Sequence, residues 1–114
     1  MSVSAAELTA KKCTACEGDT PTLTRDQVAD RLPAVPEWKL SDDGKLIRRK
    51  YKFADFVTAM AFLQRVGELA EAEGHHPDLH LTGYKYAAVE LTTHAIGGLS
   101  ENDFIVAAKI DQLR

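Results

Sequence analysis

Apolar residues recur with two different periods along this chain, and the change of period indicates where helices and strands lie. In the middle of the chain they fall at three- and four-residue intervals, which predicts a long helix over residues 54–73. Leu79 and Leu81 alternate with polar neighbours, and a second alternation follows over residues 87–92, so two strands are predicted. Gly83, between them, allows a tight turn.

Cap and turn residues predict the remaining elements. Thr24 and Gln27 have the spacing of a capping box, which predicts a helix over residues 24–32. Ser100 begins the last predicted helix, which continues to the C-terminus.

Residues 38–40 and 46–53 have the pattern of strands, and the turn sequence at residues 42–44 favours a hairpin between them. The predicted order is therefore α-β-β-α-β-β-α. Because both strand pairs have short connections, the expected fold class is α+β, with two layers: a four-stranded antiparallel sheet and three helices on one face.

Composition and charge are those of a single globular domain. The chain has 114 residues, of which 45% are hydrophobic, and its net charge of −3 gives no electrostatic basis for nonspecific nucleic-acid binding. The apolar stretches are shorter than a membrane span, and the first residues lack the apolar centre of a secretory signal. A cytoplasmic protein is the expectation.

The first 22 residues are predicted to form a flexible N-terminal arm that precedes a domain over residues 23–114. They are rich in small and polar residues and show no sustained apolar period. Cys13 and Cys16 form a lone C-x-x-C pair. A zinc site would need further ligands, and a thioredoxin-like site would need a strand before the pair, so both interpretations are weak. In a reducing cytosol both cysteines are expected to be thiols.

Three histidines are the best candidates for chemistry. His75 and His76 follow the predicted long helix directly, and His94 ends a strand-like run. Imidazole has an ordinary pKa of about 6.5, so it both donates and accepts protons near neutral pH. A doubled histidine at a helix end, with a third histidine returned by a hairpin, indicates acid–base chemistry or a metal site.

Other interpretations of these histidines remain open at this point. A histidine at a helix C-terminus is favoured by the helix dipole alone. Three histidines can bind zinc, but the H-E-x-x-H spacing is absent and adjacent side chains normally diverge, so no metal is the favoured expectation. His80 alternates with Leu79 and Leu81 and is predicted to point away from their face, as a bystander.

Two carboxylates are placed to orient the histidines. Glu71 lies one helical turn before His75. Asp103 lies nine residues after His94 and three after Ser100, where a capping-box acid is also expected.

The run Glu71-x-x-x-His75-His76-Pro77, followed at matching intervals by Tyr84, His94 and Asp103, resembles the signature of the pterin-4a-carbinolamine dehydratases. The resemblance covers the chain from about Thr24 onward. It includes Trp38, the turn at residues 42–44, the run at 53–56 and the run at 97–104. The arm resembles an N-terminal extension found in many bacterial and plant members.

The resemblance implies the same α+β fold and a hydro-lyase that converts 4a-hydroxytetrahydrobiopterin to quinonoid dihydropterin and water. This reaction recycles the pterin cofactor of aromatic amino-acid hydroxylases, to which a functional link is implied. No metal, no cofactor and a homodimer or homotetramer are implied as well. His75, His76 and His94 would be catalytic, with His76 the leading acid–base group. Glu71 and Asp103 would orient the histidines or contact substrate, and Thr92 and Thr93 would contact the pterin.

Two alternatives follow from the same resemblance. Animal relatives also act as dimerisation partners of a transcription factor, so a non-catalytic coactivator-type binding protein is one. The other is the same fold acting on a molybdopterin-related pterin.

Overall fold

The computed structural model describes residues 3–14 and 20–113. Four strands form one antiparallel sheet, in which the second and fourth strands of the chain are central, the first pairs with the second, and the third pairs with the fourth. The predicted α+β class is confirmed. The elements are α1 (Ala5–Thr9), α2 (Arg25–Arg31), β1 (Lys39–Leu40), β2 (Ile47–Lys52), α3 (Phe56–Glu73), β3 (Asp78–Thr82), β4 (Tyr86–Leu91) and α4 (Glu101–Asp111).

One face of the sheet carries the core. Ile47 pairs with Leu91, and Leu79 pairs with Val89, so the inward side chains of three strands stand in register. Their alternate neighbours, including Arg48 on β2, point to the other, solvent-facing side. The rings of Tyr51, Phe53 and Phe62 pack together with centroid separations of 4.6–6.1 Å, which joins α3 to the sheet.

The two long helices differ in burial. α3 is amphipathic, with one buried stripe consisting of Ala59, Phe62, Val66 and Ala70. α4 is buried over most of its length, including the polar Asn102 and Asp103 near its start. In the described part of the chain, no helix combines the length and the apolar composition needed to cross a membrane.

The predicted capping box at Thr24 is confirmed. The Thr24 hydroxyl accepts a hydrogen bond from the backbone N–H of Gln27 at 3.2 Å, and the Gln27 side chain accepts one from the N–H of Thr24 at 2.8 Å. These two bonds satisfy N–H groups that the first turn of a helix cannot pair internally. α2 therefore begins where the sequence predicts and ends one residue earlier.

The structure differs from the expected flexible arm at residues 3–14. α1 has a capping box of its own, formed by Ser4 and Glu7, and its Leu8 is fully buried in the core. Lys11 forms an ion pair with Glu101 at 3.0 Å. A five-residue helix with one buried side chain is too short to show a period, which is why the pattern missed it. Cys16 and its turn lie outside the described residues, and the division into arm and domain remains a prediction.

Candidate active site

The end of α3 places two of the histidines. Gly74 has a φ of +66°, a left-handed conformation that glycine adopts without strain, and its N–H bonds to the last turn of α3. The backbone N–H of His75 bonds back to the carbonyl of Ala70 at 3.2 Å. The chain then leaves the helix through His75 and His76, and Pro77 restricts the backbone of His76 before β3 begins.

His94, the third histidine, follows β4, the second strand of the β3–β4 hairpin. β4 ends at Leu91 rather than at His94, and His94 begins a single 3-10 turn. A bridge between Thr93 and Gly98 closes the loop that carries this turn. His75, His76 and His94 line one cleft of about 260 Å³. Its lining consists of Thr14, Gly74, His75, His76, Thr92, Thr93, His94, Ala95 and Asn102.

His75 is held by a buried carboxylate. Its Nε2 lies 2.6 Å from Oδ1 of Asp103, whose side chain is fully buried, while the imidazole itself is 11% exposed. Because a carboxylate accepts hydrogen bonds, Nε2 is the nitrogen that carries the proton in this pair. Nδ1 is then the nitrogen of His75 left to exchange a proton at the cleft.

The second oxygen of Asp103 is also occupied. Oδ2 accepts hydrogen bonds from the hydroxyl of Thr93 at 2.8 Å and from the backbone N–H of Ser100 at 2.9 Å. Since the single hydroxyl proton of Thr93 is used on Asp103, the Ser100 hydroxyl donates to Thr93, at 2.7 Å. The side chain of Asp103 therefore caps the N-terminus of α4 and, through its other oxygen, holds the ring of His75.

Both oxygens of Asp103 are engaged and its side chain has no exposed surface. The carboxylate is therefore placed to orient His75, and its role at the site remains a prediction. Thr92 and Thr93 both line the cleft, so their contact with a pterin remains a prediction, but their hydroxyls are engaged within the protein. Thr93 faces Asp103, and Thr92 donates to the carbonyl of Lys45 at 2.5 Å.

His76 occupies the open side of the cleft. Its Nε2 lies 3.0 Å from Oε2 of Glu71, and the two side chains are 62% and 82% exposed. Both side chains of the pair are therefore in contact with solvent. An imidazole in such a position can exchange protons with water between turnovers.

His80 lies away from the cleft, on the solvent-facing side of the sheet. Its Nε2 is 2.7 Å from Oε1 of Glu90, which also binds Arg48. Burial acts to raise the pKa of Glu90, but the hydrogen bonds from Arg48 and His80 outweigh it and the pKa is lowered. His80 does not line the histidine cleft, as its place in the alternation predicts.

A wider groove of about 580 Å³ runs along β1 and the start of β2. None of the histidines lines it, and its charged groups are lysine, arginine, glutamate and aspartate side chains at the surface. We assign the chemistry to the smaller cleft because it gathers the groups able to exchange protons near neutral pH. Within the described residues, no group of three or more His, Cys, Asp and Glu side chains is placed to hold a metal ion.

Four lining residues were not predicted to lie at the site: Gly74 and Ala95, which adjoin the histidines in the chain, and Thr14 and Asn102, which do not. Thr14 belongs to the presumed arm, and Asn102 lies within the buried start of α4. Their contact joins residues 88 positions apart, so no local pattern could reveal it. The readable signal was the Ser4–Glu7 capping box, which indicates an ordered helix just before Thr14.

Fold and cleft together define a class: a two-layer α+β protein with a histidine-lined cleft at the end of its long helix. The sequence model of the family described as pterin 4 alpha carbinolamine dehydratase matches residues 21–113. The chain belongs to this family, as the motif predicted.

Individual relatives agree with that assignment. A Methylococcus capsulatus protein named "Putative pterin-4-alpha-carbinolamine dehydratase" is 50% identical over 96% of this chain and 95% of its own length. The Arabidopsis thaliana protein named "Pterin-4-alpha-carbinolamine dehydratase 2, mitochondrial" is 45% identical, and the match covers 97% of this chain and 61% of that protein.

A solved structure agrees as well. The crystal structure of a transcriptional coactivator/pterin dehydratase from Brucella melitensis superposes with a TM-score of 0.75 at 33% identity, over 81% of this chain and 97% of the other. The family and the names of the relatives support pterin-4a-carbinolamine dehydratase activity.

Proposed function

We propose that this protein dehydrates 4a-hydroxytetrahydrobiopterin to quinonoid dihydrobiopterin. The observation that carries the proposal is the cleft, where three imidazoles meet and two of them are hydrogen-bonded to carboxylates. We also propose that this reaction recycles the pterin cofactor of aromatic amino-acid hydroxylases, which is the functional link, and that it takes place in the cytoplasm.

The reaction needs one proton delivered and one removed. The bond between C4a and its hydroxyl oxygen breaks, and this oxygen takes up a proton and leaves as water. The proton on N5 is removed, and its electron pair forms the N5=C4a double bond of the quinonoid product. A side chain that transfers a proton in such a step contributes typically about 10²–10⁴-fold, and most when its pKa is near the working pH.

The cleft offers imidazoles in two different settings for these transfers. We assign the leading acid–base role to His76, which is exposed and paired with the exposed Glu71. His75, fixed by Asp103, presents Nδ1 in a constant direction, and His94 completes the cleft from the other side. Glu71 and Asp103 act as orienting groups. The proposed chemistry uses these side chains alone, with no metal and no resident cofactor.

The test is turnover by the purified chain. We expect 4a-hydroxytetrahydropterin, generated chemically and mixed in a stopped-flow spectrophotometer, to dehydrate faster with the protein present than in buffer, with the same rate in a chelator. A double variant, His76→Ala with His94→Ala, is the matched control and should return the rate towards that of buffer. No acceleration by a folded wild-type protein would overturn the proposal and favour the binding role that the Brucella protein's description includes.

We also propose that the protein forms a homodimer or homotetramer. β3 is an outer strand, so within the described part of the chain one side of its backbone has no neighbouring strand. Leu79 on β3 is 40% exposed, and apolar residues of α3 are exposed as well, among them Met60 at 47%. An open strand edge beside apolar surface pairs readily with a second copy.

Light scattering at micromolar concentration tests this assembly. We expect a mass of at least twice the 12.5 kDa of one chain. Leu79→Arg should shift the mass towards the monomer, because it places a charge in an apolar contact. His80→Arg, on the adjacent residue but the other face, is the control and should leave the mass unchanged. A wild-type monomer would overturn this part of the proposal.

A further inference from the structure

The N-terminal segment, defined as residues 3–14, reaches the histidine cleft. Thr14 lines the cleft together with His75, His76 and His94. The family model begins only at residue 21, so this wall comes from outside the matched domain. The cleft that holds the acid–base groups is thus completed by a part of the chain that carries none of them.

A buried amide fixes the position of Thr14. The side-chain oxygen of Asn102 accepts a hydrogen bond from the backbone N–H of Thr14 at 3.1 Å, and its nitrogen donates to the carbonyl of Thr14 at 2.5 Å. Asn102 is 5% exposed and stands next to Asp103. The amide therefore holds both backbone polar groups of Thr14, as a neighbouring strand would.

A second anchor lies one residue earlier. The backbone N–H of Cys13 donates to Glu73 at 3.0 Å, and Glu73 also accepts a hydrogen bond from Lys109 at 2.8 Å. The bond from Lys109 lowers the pKa of Glu73, so the carboxylate stays charged and able to accept both bonds. Both anchors adjoin the site, since Glu73 precedes the turn to His75 and Asn102 precedes Asp103.

Cys13 contributes a weakly acidic, partly buried thiol to this anchor. Burial, reinforced by the nearby Glu73, raises the pKa of Cys13 to about 12. Because the thiolate is the reactive form of cysteine, Cys13 is a poor nucleophile at neutral pH. Its thiol lies 3.7 Å from the carbonyl of Asn102 and packs as part of the anchor.

We propose that Thr14 is a substrate-binding residue of the pterin site and that Asn102 is the positioning residue that holds it there. This inference rests on the proposed function, and it identifies Thr14 as part of the wall of the substrate-binding cleft. The hydroxyl of threonine does not ionise at neutral pH, so Thr14 takes no part in proton transfer. Its contact is made equally to substrate and transition state, and such a contact sets KM rather than kcat.

The experiment separates binding from chemistry. Thr14→Ala removes a side chain at an exposed position, and Asn102→Ala releases the backbone of Thr14. In both variants we expect KM for the 4a-hydroxypterin to rise about three- to tenfold, the scale of one lost hydrogen bond, with kcat within about twofold. The dissociation constant for 7,8-dihydrobiopterin, measured by fluorescence titration, should rise in parallel, and the pH profile of kcat should not move.

Lys11→Ala is the matched control. It breaks an ion pair of the same segment but does not line the cleft, so KM should stay unchanged. An unchanged KM and dissociation constant in Thr14→Ala would overturn the inference, and so would an equal loss of kcat in both variants. If the wild-type protein neither binds nor converts the pterin, the proposed function itself fails, which is a different result.

Discussion

An alanine in place of His76 is expected to lower kcat for carbinolamine dehydration by about 10²-fold or more, the contribution typical of one positioned acid–base group. The side chain is 62% exposed and its partner Glu71 more so, so the fold should tolerate the change. Stopped-flow rates at saturating substrate measure the loss, and the midpoint of urea unfolding checks that stability is retained.

His80→Ala is the control that this chain provides. His80 is 49% exposed and is likewise paired with a glutamate through Nε2, but it lies on the other face of the sheet. Its replacement should leave kcat within about twofold of wild type, because a residue remote from the reacting atoms transfers no proton. An equal loss in the two variants would show that the cleft has been assigned to the wrong face.

Asp103→Asn is expected to reduce both turnover and stability. Every atom that faces this carboxylate is a donor: the Nε2–H of His75, the hydroxyl of Thr93 and the N–H of Ser100. An asparagine places its NH₂ against one of these donors in either orientation. We expect unfolding to become easier by about 2 kcal/mol, the cost of an unpaired buried group, and kcat to fall about 10²-fold as His75 loses its fixed tautomer.

Asp111→Asn separates the two effects. Asp111 lies at the far end of the same helix and binds the indole N–H of Trp38 at 2.9 Å and Arg49 at 2.6 Å. Its loss should lower the free energy of unfolding while kcat stays near the wild-type value. If Asp103→Asn behaves in the same way, with stability lost and turnover kept, Asp103 is a helix cap and does not orient a catalytic imidazole.

Local signals in the sequence were sufficient to predict most of the helices and strands. The capping box at Thr24, the apolar spacing of α3 and Gly74 at its end each act over a few neighbouring residues, and each appears where expected. The same holds for the alternation that separates Leu79 from His80. These elements are specified by periods and caps, and a single sequence displays both.

Contacts between distant parts of the chain are what the sequence could not show. The pairing of Thr14 with Asn102 and the contacts of His75 and Thr93 with Asp103 depend on how the elements pack. A single polar side chain on the buried face of a helix produces no repeating pattern in the sequence. The spacing of Asp103 after Ser100 indicated a cap correctly, but only the packed structure shows that the other oxygen of this cap holds His75.

That shared carboxylate has a consequence for how the protein tolerates change over generations. Substitution of most catalytic-site residues lowers only the reaction rate. Substitution of most helix caps lowers only stability, and with it the amount of folded protein. At Asp103 one carboxylate makes both contacts, so we expect a replacement that frays the first turn of α4 to release the His75 ring as well. A lineage that lost the need for dehydration would still retain this aspartate for the sake of folding, so its presence in a relative is weak evidence of activity.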